Sequence, residues 1–359
     1  MSRPTRGTEA PPVADRELTA VSADGSRIHV EIHGPQGAPA VVLAHGWTCS
    51  TRFWDAQIRA LAGDHRVIAY DQRGHGRSPL GPAGTDRLAD DLEAVLSTAL
   101  LPGERAVLAG HSMGGMTIMA AAARPVFRAR AAAVLLCSTG SARLTDEARV
   151  VPLRPGRLRG RLTRAVLGAR APLGPVTPVS RRILKYATMG PASSPERVDA
   201  CARIVHACPR DARVAWSEVL AGLDLDHGVR ALDVPAVVVA GTVDRLTPLV
   251  HAKRLALDLP RCVELVELAG MGHMTPVEAP EAVTAKIREL VGTHGSTKAG
   301  TDGSTKAGTD GGAKAGTDGS TKAGTDGGAK AGTDGSTKAG THGGAKTGTQ
   351  GRSAKEETA

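Results

Sequence analysis

Aromatic residues are nearly missing from this chain: its 359 residues include three Trp, two Tyr and two Phe. A core so poor in rings must be filled by aliphatic side chains, and each aromatic position becomes worth locating. Trp47, Phe53 and Trp54 crowd into one short stretch. Cysteine is scarce too. Cys49, Cys137, Cys201, Cys208 and Cys262 are odd in number and lack metal-ligand spacing. That suits reduced thiols in the cytoplasm better than a disulfide framework. No run approaches the roughly 18 apolar residues of a membrane span. The N-terminal "MSRPTRGTEAPPVADRE" has no apolar h-region, so no Sec-type signal peptide is expected, and residues 1–17 are expected to be disordered.

Large apolar side chains vanish altogether from Gly295 onward. There the chain repeats with a period of eight, "GSTKAGTD" and "GGAKAGTD", through residue 351, followed by a polar end at 352–359. No repeat can bury a face and offset its ordering entropy, which predicts a disordered spacer rather than a solenoid. Most copies pair one Lys with one Asp, so the tail is nearly neutral and no nucleic-acid partner is expected.

What remains alternates strand with helix. "ELTAVSADGSRIHVEIHG" reads as a hairpin around Asp24-Gly25. "AVVLAHG" (40–46), "RVIAYD" (66–71), "AVLAG" (106–110), "AAVLLC" (132–137), "AVVVAG" (236–241) and "CVELVEL" (262–268) read as strands. Helical stretches near 53–62, 85–100, 113–124, 248–258 and 278–291 separate most of them. This predicts an α/β fold: a mainly parallel, doubly wound, eight-stranded sheet built from residues 18–140 and 231–292. Residues 141–230 break the alternation and are expected to form a helical lid over the strand ends. The lid carries fifteen Arg and one Lys against eight acidic residues, so most of the chain's net charge of +9 resides there. Its stretch "RVVPLRPGRLRGRLTRAVLGAR" (149–170) could meet anionic lipid or an acidic substrate group. A solvated face is the favoured expectation, because Pro152, Pro155, Gly156 and Gly160 should interrupt a continuous helix.

The chemistry gathers where strands end. "GHSMG" (110–114) is G-x-S-x-G with a strand before it and a helix after it. Such a turn exposes the Ser112 hydroxyl beside helix N–H groups, but a serine needs a base and an orienting acid. Asp244 follows a strand in "VPAVVVAGTVDRLTP", and His273 lies on a Gly-flanked loop in "LAGMGHMTPVEAP". They follow Ser112 in the order Ser, acid, His that this turn demands. Asp224 and Asp226 compete for the acid role but precede the strand, and Asp71 with Arg73 reads as a turn that ties its own loop down.

Four motifs in order, "HGW" (45–47), "DQRGHGRS" (71–78), "GHSMGG" (110–115) and "GTVDRLTP…GMGHMTPVEAP" (241–280), resemble the α/β-hydrolase fold superfamily in its single-domain, lid-bearing branch. The stretches around Trp47 and Arg73 are similar to bacterial esterases and cofactor-free haloperoxidases (perhydrolases). The resemblance implies Ser112 as nucleophile, Asp244 as acid and His273 as base, with the backbone N–H groups of Trp47 and Met113 as the oxyanion hole. Relatives with an Asp nucleophile, the haloalkane dehalogenases and epoxide hydrolases, are excluded by Ser112. His45, Gly46, Phe53, Trp54 and His111 are expected around the substrate pocket, with His45 and His111 as hydrogen-bonding neighbours rather than bases, and with packing of the loop against the core as an equal alternative for Phe53 and Trp54. No metal or organic cofactor is implied. The expected activity is hydrolysis of a small carboxylic ester through an acyl-enzyme. Perhydrolase, C–C hydrolase and acyltransferase chemistry use the same residues, and a small-ligand receptor is the non-enzymatic alternative.

Overall fold

Strands dominated by Ala, Val, Leu and Ile form the centre of the computed structural model, which describes residues 10–295. The eight strands are β1 (Arg16–Val21), β2 (Arg27–His33), β3 (Ala40–Ala44), β4 (Arg66–Tyr70), β5 (Ala106–His111), β6 (Ala131–Cys137), β7 (Ala236–Gly241) and β8 (Cys262–Leu268). They form one sheet in the order β1-β2-β4-β3-β5-β6-β7-β8. β2 runs antiparallel to both β1 and β4, and every other pairing is parallel. Every residue of β3, β5, β6 and β7 is buried. A parallel sheet covered on both faces requires that, which is why these strands read as unbroken apolar runs. The edge strand β8 is partly exposed and carries Glu264 and Glu267 among its apolar residues.

Strand periodicity sorts side chains into two cores. Val42, Ala44, Ile68 and Tyr70 pack on one face with the helices Thr85–Ala99 and Met113–Ala121. Val41, Leu43, Val67 and Ala69 pack on the other with Asp55–Leu61 and Pro280–His294. Helix Thr85–Ala99 turns Leu88, Leu92, Val95, Leu96 and Ala99 inward, and each fully buried large aliphatic side chain contributes about 1.5–3 kcal/mol.

The N-terminal expectation needs correction. β1 begins at Arg16, and the backbone N–H of Asp15 donates to the Ile32 carbonyl at 3.0 Å, while its carboxylate accepts from Gly34 N–H at 2.6 Å. Residues 10–17 are thus held along the sheet, a cross-chain pairing that their own polar composition does not announce. The octapeptide tail lies outside the described residues.

Between β6 and β7 the described chain holds six helices and no sheet strand. A single antiparallel bridge, Ala142 to Asp224, closes the neck of this insertion. The helix Arg157–Leu167 runs straight through Gly160, against expectation. Gly160 serves close packing: a Cβ there would lie 2.8 Å from Asp146 Oδ1. No helix among the described residues is long and apolar enough to cross a membrane.

Candidate active site

β5 passes into helix Met113–Ala121 with one residue between them, Ser112, at φ +51° and ψ −115°. An L-residue held there costs on the order of 1–3 kcal/mol, so its surroundings must fix it. They do: Ser112 N–H donates to the Cys137 carbonyl at 2.9 Å, and its carbonyl accepts from Thr139 Oγ1 at 2.8 Å. The two glycines of the motif have steric reasons. A Cβ on Gly110 would sit 2.5 Å from the Gly114 carbonyl oxygen, and one on Gly114 would sit 2.0 Å from that of Ala44. Gly114 therefore lets the turn press against the end of β3, where the segment 45–48 begins. Met113, the first helical residue, has no intrahelical acceptor for its N–H.

His273 and Asp244 meet in the same region. Asp244 Oδ2 lies 2.8 Å from His273 Nδ1, and both side chains are buried. Asp244 Oδ1 accepts from the N–H groups of Leu246 and Thr247 at 2.8 and 3.0 Å, and Oδ2 accepts from Thr247 Oγ1 at 2.9 Å. With Nδ1–H directed at the carboxylate, Nε2 is the imidazole's free nitrogen. The backbone of His273 is pinned as well. Its N–H donates to the Thr188 carbonyl at 2.7 Å, and its carbonyl accepts from His111 Nε2 at 2.9 Å. Glu278 gathers the loop from below. Its carboxylate accepts from the N–H groups of Gly272, Met274 and Gly190 at 3.0, 3.1 and 2.6 Å, and from Ser193 Oγ at 2.7 Å.

The segment 45–48 is rigid through histidines. His45 Nε2 accepts from Gln72 N–H at 3.0 Å and Nδ1 donates to the Gly46 carbonyl at 2.8 Å. Thr48 N–H donates to His75 Nε2 at 3.1 Å. Burial pushes His45 down to about 4 and His75 down to about 3, so both rings are neutral and can accept. Burial likewise holds His111 well below its usual range. Asp71 and Arg73 tie their loop down. Asp71 accepts from the N–H groups of Thr51 and Arg77, both at 2.8 Å, and Arg73 forks onto Asp91 and Asp24.

A cavity of about 420 Å³ opens above these groups. Ser112, His273, His111, Trp47, Thr247 and Met274 form its floor, while Leu167, Leu173, Ile183, Leu184 and Leu220 from the insertion form apolar walls. Two expectations fail here. Phe53 and Trp54 do not line the cavity: they are buried beneath it, with Phe53 stacked 4.3 Å from the His111 ring. Nor do the side chain of His45 or Gly46; His45 is fully buried, and Gly46 lies against Ser112, where a Cβ would stand 3.1 Å from the Ser112 Cβ. An aliphatic protein needs its few rings as packing, and these two fill the layer under the site. Asp226 is turned away from His273 and is held by Ser141 Oγ at 2.6 Å and by Arg254, and Asp224 Oδ1 accepts from the Asp226 N–H at 3.1 Å. Thr247, Glu278 and Arg213 were not anticipated. Thr247 sits three residues after Asp244, the usual place for a hydroxyl that closes an Asx-type turn; the other two make contacts that only the fold creates.

Residues 41–286 match the model of the Alpha/beta hydrolase family. The chain belongs to the alpha/beta hydrolase family. This hydrolase is 33% identical over 255 residues to a putative carbamate hydrolase, RutD, of Variovorax paradoxus, covering 68% of this chain and 89% of the relative. It is 27% identical to a bifunctional esterase/perhydrolase of Acinetobacter calcoaceticus, over 72% of this chain and 94% of that one. Among solved structures, it resembles an esterase from Rhodococcus sp. ECU1013 with a TM-score of 0.64 and 26% identity, covering 78% of this chain and 99% of the other.

Proposed function

We propose that the hydrolase is a serine esterase that cleaves a small carboxylic ester through an acyl-enzyme. The observation that carries this reading is the buried His273–Asp244 pair, 2.8 Å apart, whose imidazole lines the same cavity as the strained Ser112. In the reaction, Ser112 Oγ attacks the ester carbonyl carbon while His273 Nε2 takes its proton. Asp244 holds the ring with Nε2 available and stabilises the imidazolium. The N–H groups of Met113 and Trp47 receive the developing oxyanion. The imidazolium then protonates the departing alcohol, leaving the acyl group on Ser112. Water, deprotonated by His273, attacks that acyl carbon and releases the acid. The insertion acts as a lid: its side chains form most of the cavity walls, so they select the acyl or alcohol part. The predominantly apolar walls favour an uncharged chain in that space.

A second resolution of the same acyl-enzyme is supported by the esterase/perhydrolase relative: hydrogen peroxide in place of water would release a peracid. Five free thiols, three of them buried, support a cytoplasmic setting for either activity.

A fluorophosphonate probe with site mapping tests the reading directly. Labelling is expected at Ser112, with turnover of p-nitrophenyl esters falling about 10⁴- to 10⁶-fold in Ser112→Ala. A small-ligand receptor would bind without labelling. Near-normal hydrolysis by Ser112→Ala would assign the chemistry to another residue and overturn the proposal.

A further inference from the structure

The helix Arg157–Leu167 is built inside out. Its inward side carries Arg159, Gly160 and Thr163, all buried, while Leu158, Leu162 and Val166 form an outward row at i, i+4 and i+8. Leu158 is 65% and Val166 59% exposed. A helix that packs by its apolar stripe does the reverse. The neighbouring helix Pro178–Thr188 repeats the pattern with Val179, Ile183 and Tyr186 turned outward. Eight of the fifteen large apolar side chains exposed among the described residues fall between Leu153 and Tyr186. Such clustering marks a surface that meets something apolar.

The charge along this stretch of chain has one sign, although Glu218 and Asp199 from later helices pair with Arg170 and Arg181. From Arg149 to Pro195 there are nine Arg and one Lys and no acidic residue. Arg149, Arg154, Arg157, Arg161, Arg164 and Arg182 are exposed, and none has a carboxylate partner among the described residues. In the core, by contrast, buried arginines such as Arg73 and Arg66 are met by Asp or Glu. Guanidinium groups bordering an exposed leucine row fit the boundary of a bilayer, where phosphates accept from Arg and acyl chains receive Leu. A second copy of this face is disfavoured by like charge. A nucleic acid has no use for the apolar row.

We propose that the outward face of the insertion, from Arg149 to Tyr186, is a docking surface for an anionic lipid bilayer. The cavity rim lies in this face, since Val166, Leu173 and Ile183 are exposed and also line the cavity. Docked in this way, the protein would receive an apolar ligand from the lipid phase without passage through water. That ligand's being an ester rests on the hydrolase reading above; the docking itself does not.

Flotation of the full chain with phosphatidylcholine vesicles, with and without phosphatidylglycerol, tests it. Binding is expected to need phosphatidylglycerol and to weaken with salt. Arg157→Gln with Arg161→Gln should weaken it about 25-fold, at roughly fivefold per basic residue. Leu158→Gln with Leu162→Gln should weaken it about tenfold or more through lost apolar burial. None of these four residues lines the cavity, so both variants should hydrolyse a soluble p-nitrophenyl ester at the unaltered rate. Binding that survives both variants would overturn the proposal. So would binding insensitive to the leucine pair and displaced by polyglutamate, which would mean attraction to any polyanion, or a dimer lost with the leucines, which would mean a second copy. Vesicle binding by a chain that neither labels at Ser112 nor cleaves esters would leave the docking surface standing and remove the esterase reading.

Discussion

Arg73 and Arg213 are both buried arginines, and they are satisfied in opposite ways. Arg73, in the core, is fully buried and meets the carboxylates of Asp91 and Asp24. The Arg213 guanidinium, in the insertion, donates to the carbonyls of Ala169 and Ala171, at 2.7 and 2.6 Å, and has no carboxylate partner among the described residues. Around each, its region repeats the pattern. The core meets its buried arginines with carboxylates, whereas between Arg149 and Arg182 the insertion leaves six exposed arginines without a carboxylate partner among the described residues and turns leucines outward. The two regions therefore answer to different partners. The core is complete within the chain, whereas the insertion presents charge and apolar surface to something outside it.

The comparison is sharpest at Arg73. Arg73→Ala would strand Asp91 in the core and should cost about 3–5 kcal/mol in urea unfolding, since removing one member of a buried pair leaves the other uncompensated. A cost below about 1 kcal/mol would mean that the core is not held by such pairing.

Acid should separate the regions next. His45 and His75 are neutral in the fold, with pKa values of about 4 and about 3 set by burial, against about 6.5 for an unfolded histidine. Below pH 6.5 the unfolded chain binds protons that the folded chain refuses, so their contribution is full above that pH and is lost as pH falls toward 4. Two such groups give a slope approaching about 2.7 kcal/mol per pH unit near pH 5. Urea midpoints at pH 7.5, 6 and 5 measure it, and a flat series would show that these rings are charged or exposed in the native state.

The smallest effect belongs to the insertion surface. Arg182→Gln, at an exposed and unpaired position, should stay within about 0.5 kcal/mol of the parent. A loss comparable to that at Arg73 would erase the distinction between the regions.

What was legible in the sequence follows the same division. Parallel strands buried on both faces declare themselves as apolar runs, so the sheet could be read almost to the residue, and Gly-rich turns at strand ends marked Ser112 and His273. Phe53 and Trp54 stay ambiguous in the sequence, because proximity to a motif cannot tell a pocket wall from core packing, and the structure makes them packing. Glu278 was missed because its partners Gly190 and Ser193 lie more than eighty residues away in the insertion. Within the insertion, the stretch 149–170 reads from sequence as a solvated face interrupted by glycine and proline; only its folded helices reveal that the leucines, not the arginines alone, face outward.

The scarcity of rings has an optical consequence. Trp47, from the segment beside Ser112, donates its indole N–H to the carbonyl of Arg213 at 3.1 Å. Trp216, from the insertion, donates in the opposite direction to the carbonyl of Arg73 at 2.8 Å. Two of the three tryptophans thus straddle the seam between core and insertion, and the third, Trp54, is fully buried and shielded from water. Ultraviolet emission from this protein is in effect a gauge of that seam. If the insertion swings away from the core, the spectrum should shift to the red while far-ultraviolet dichroism stays unchanged.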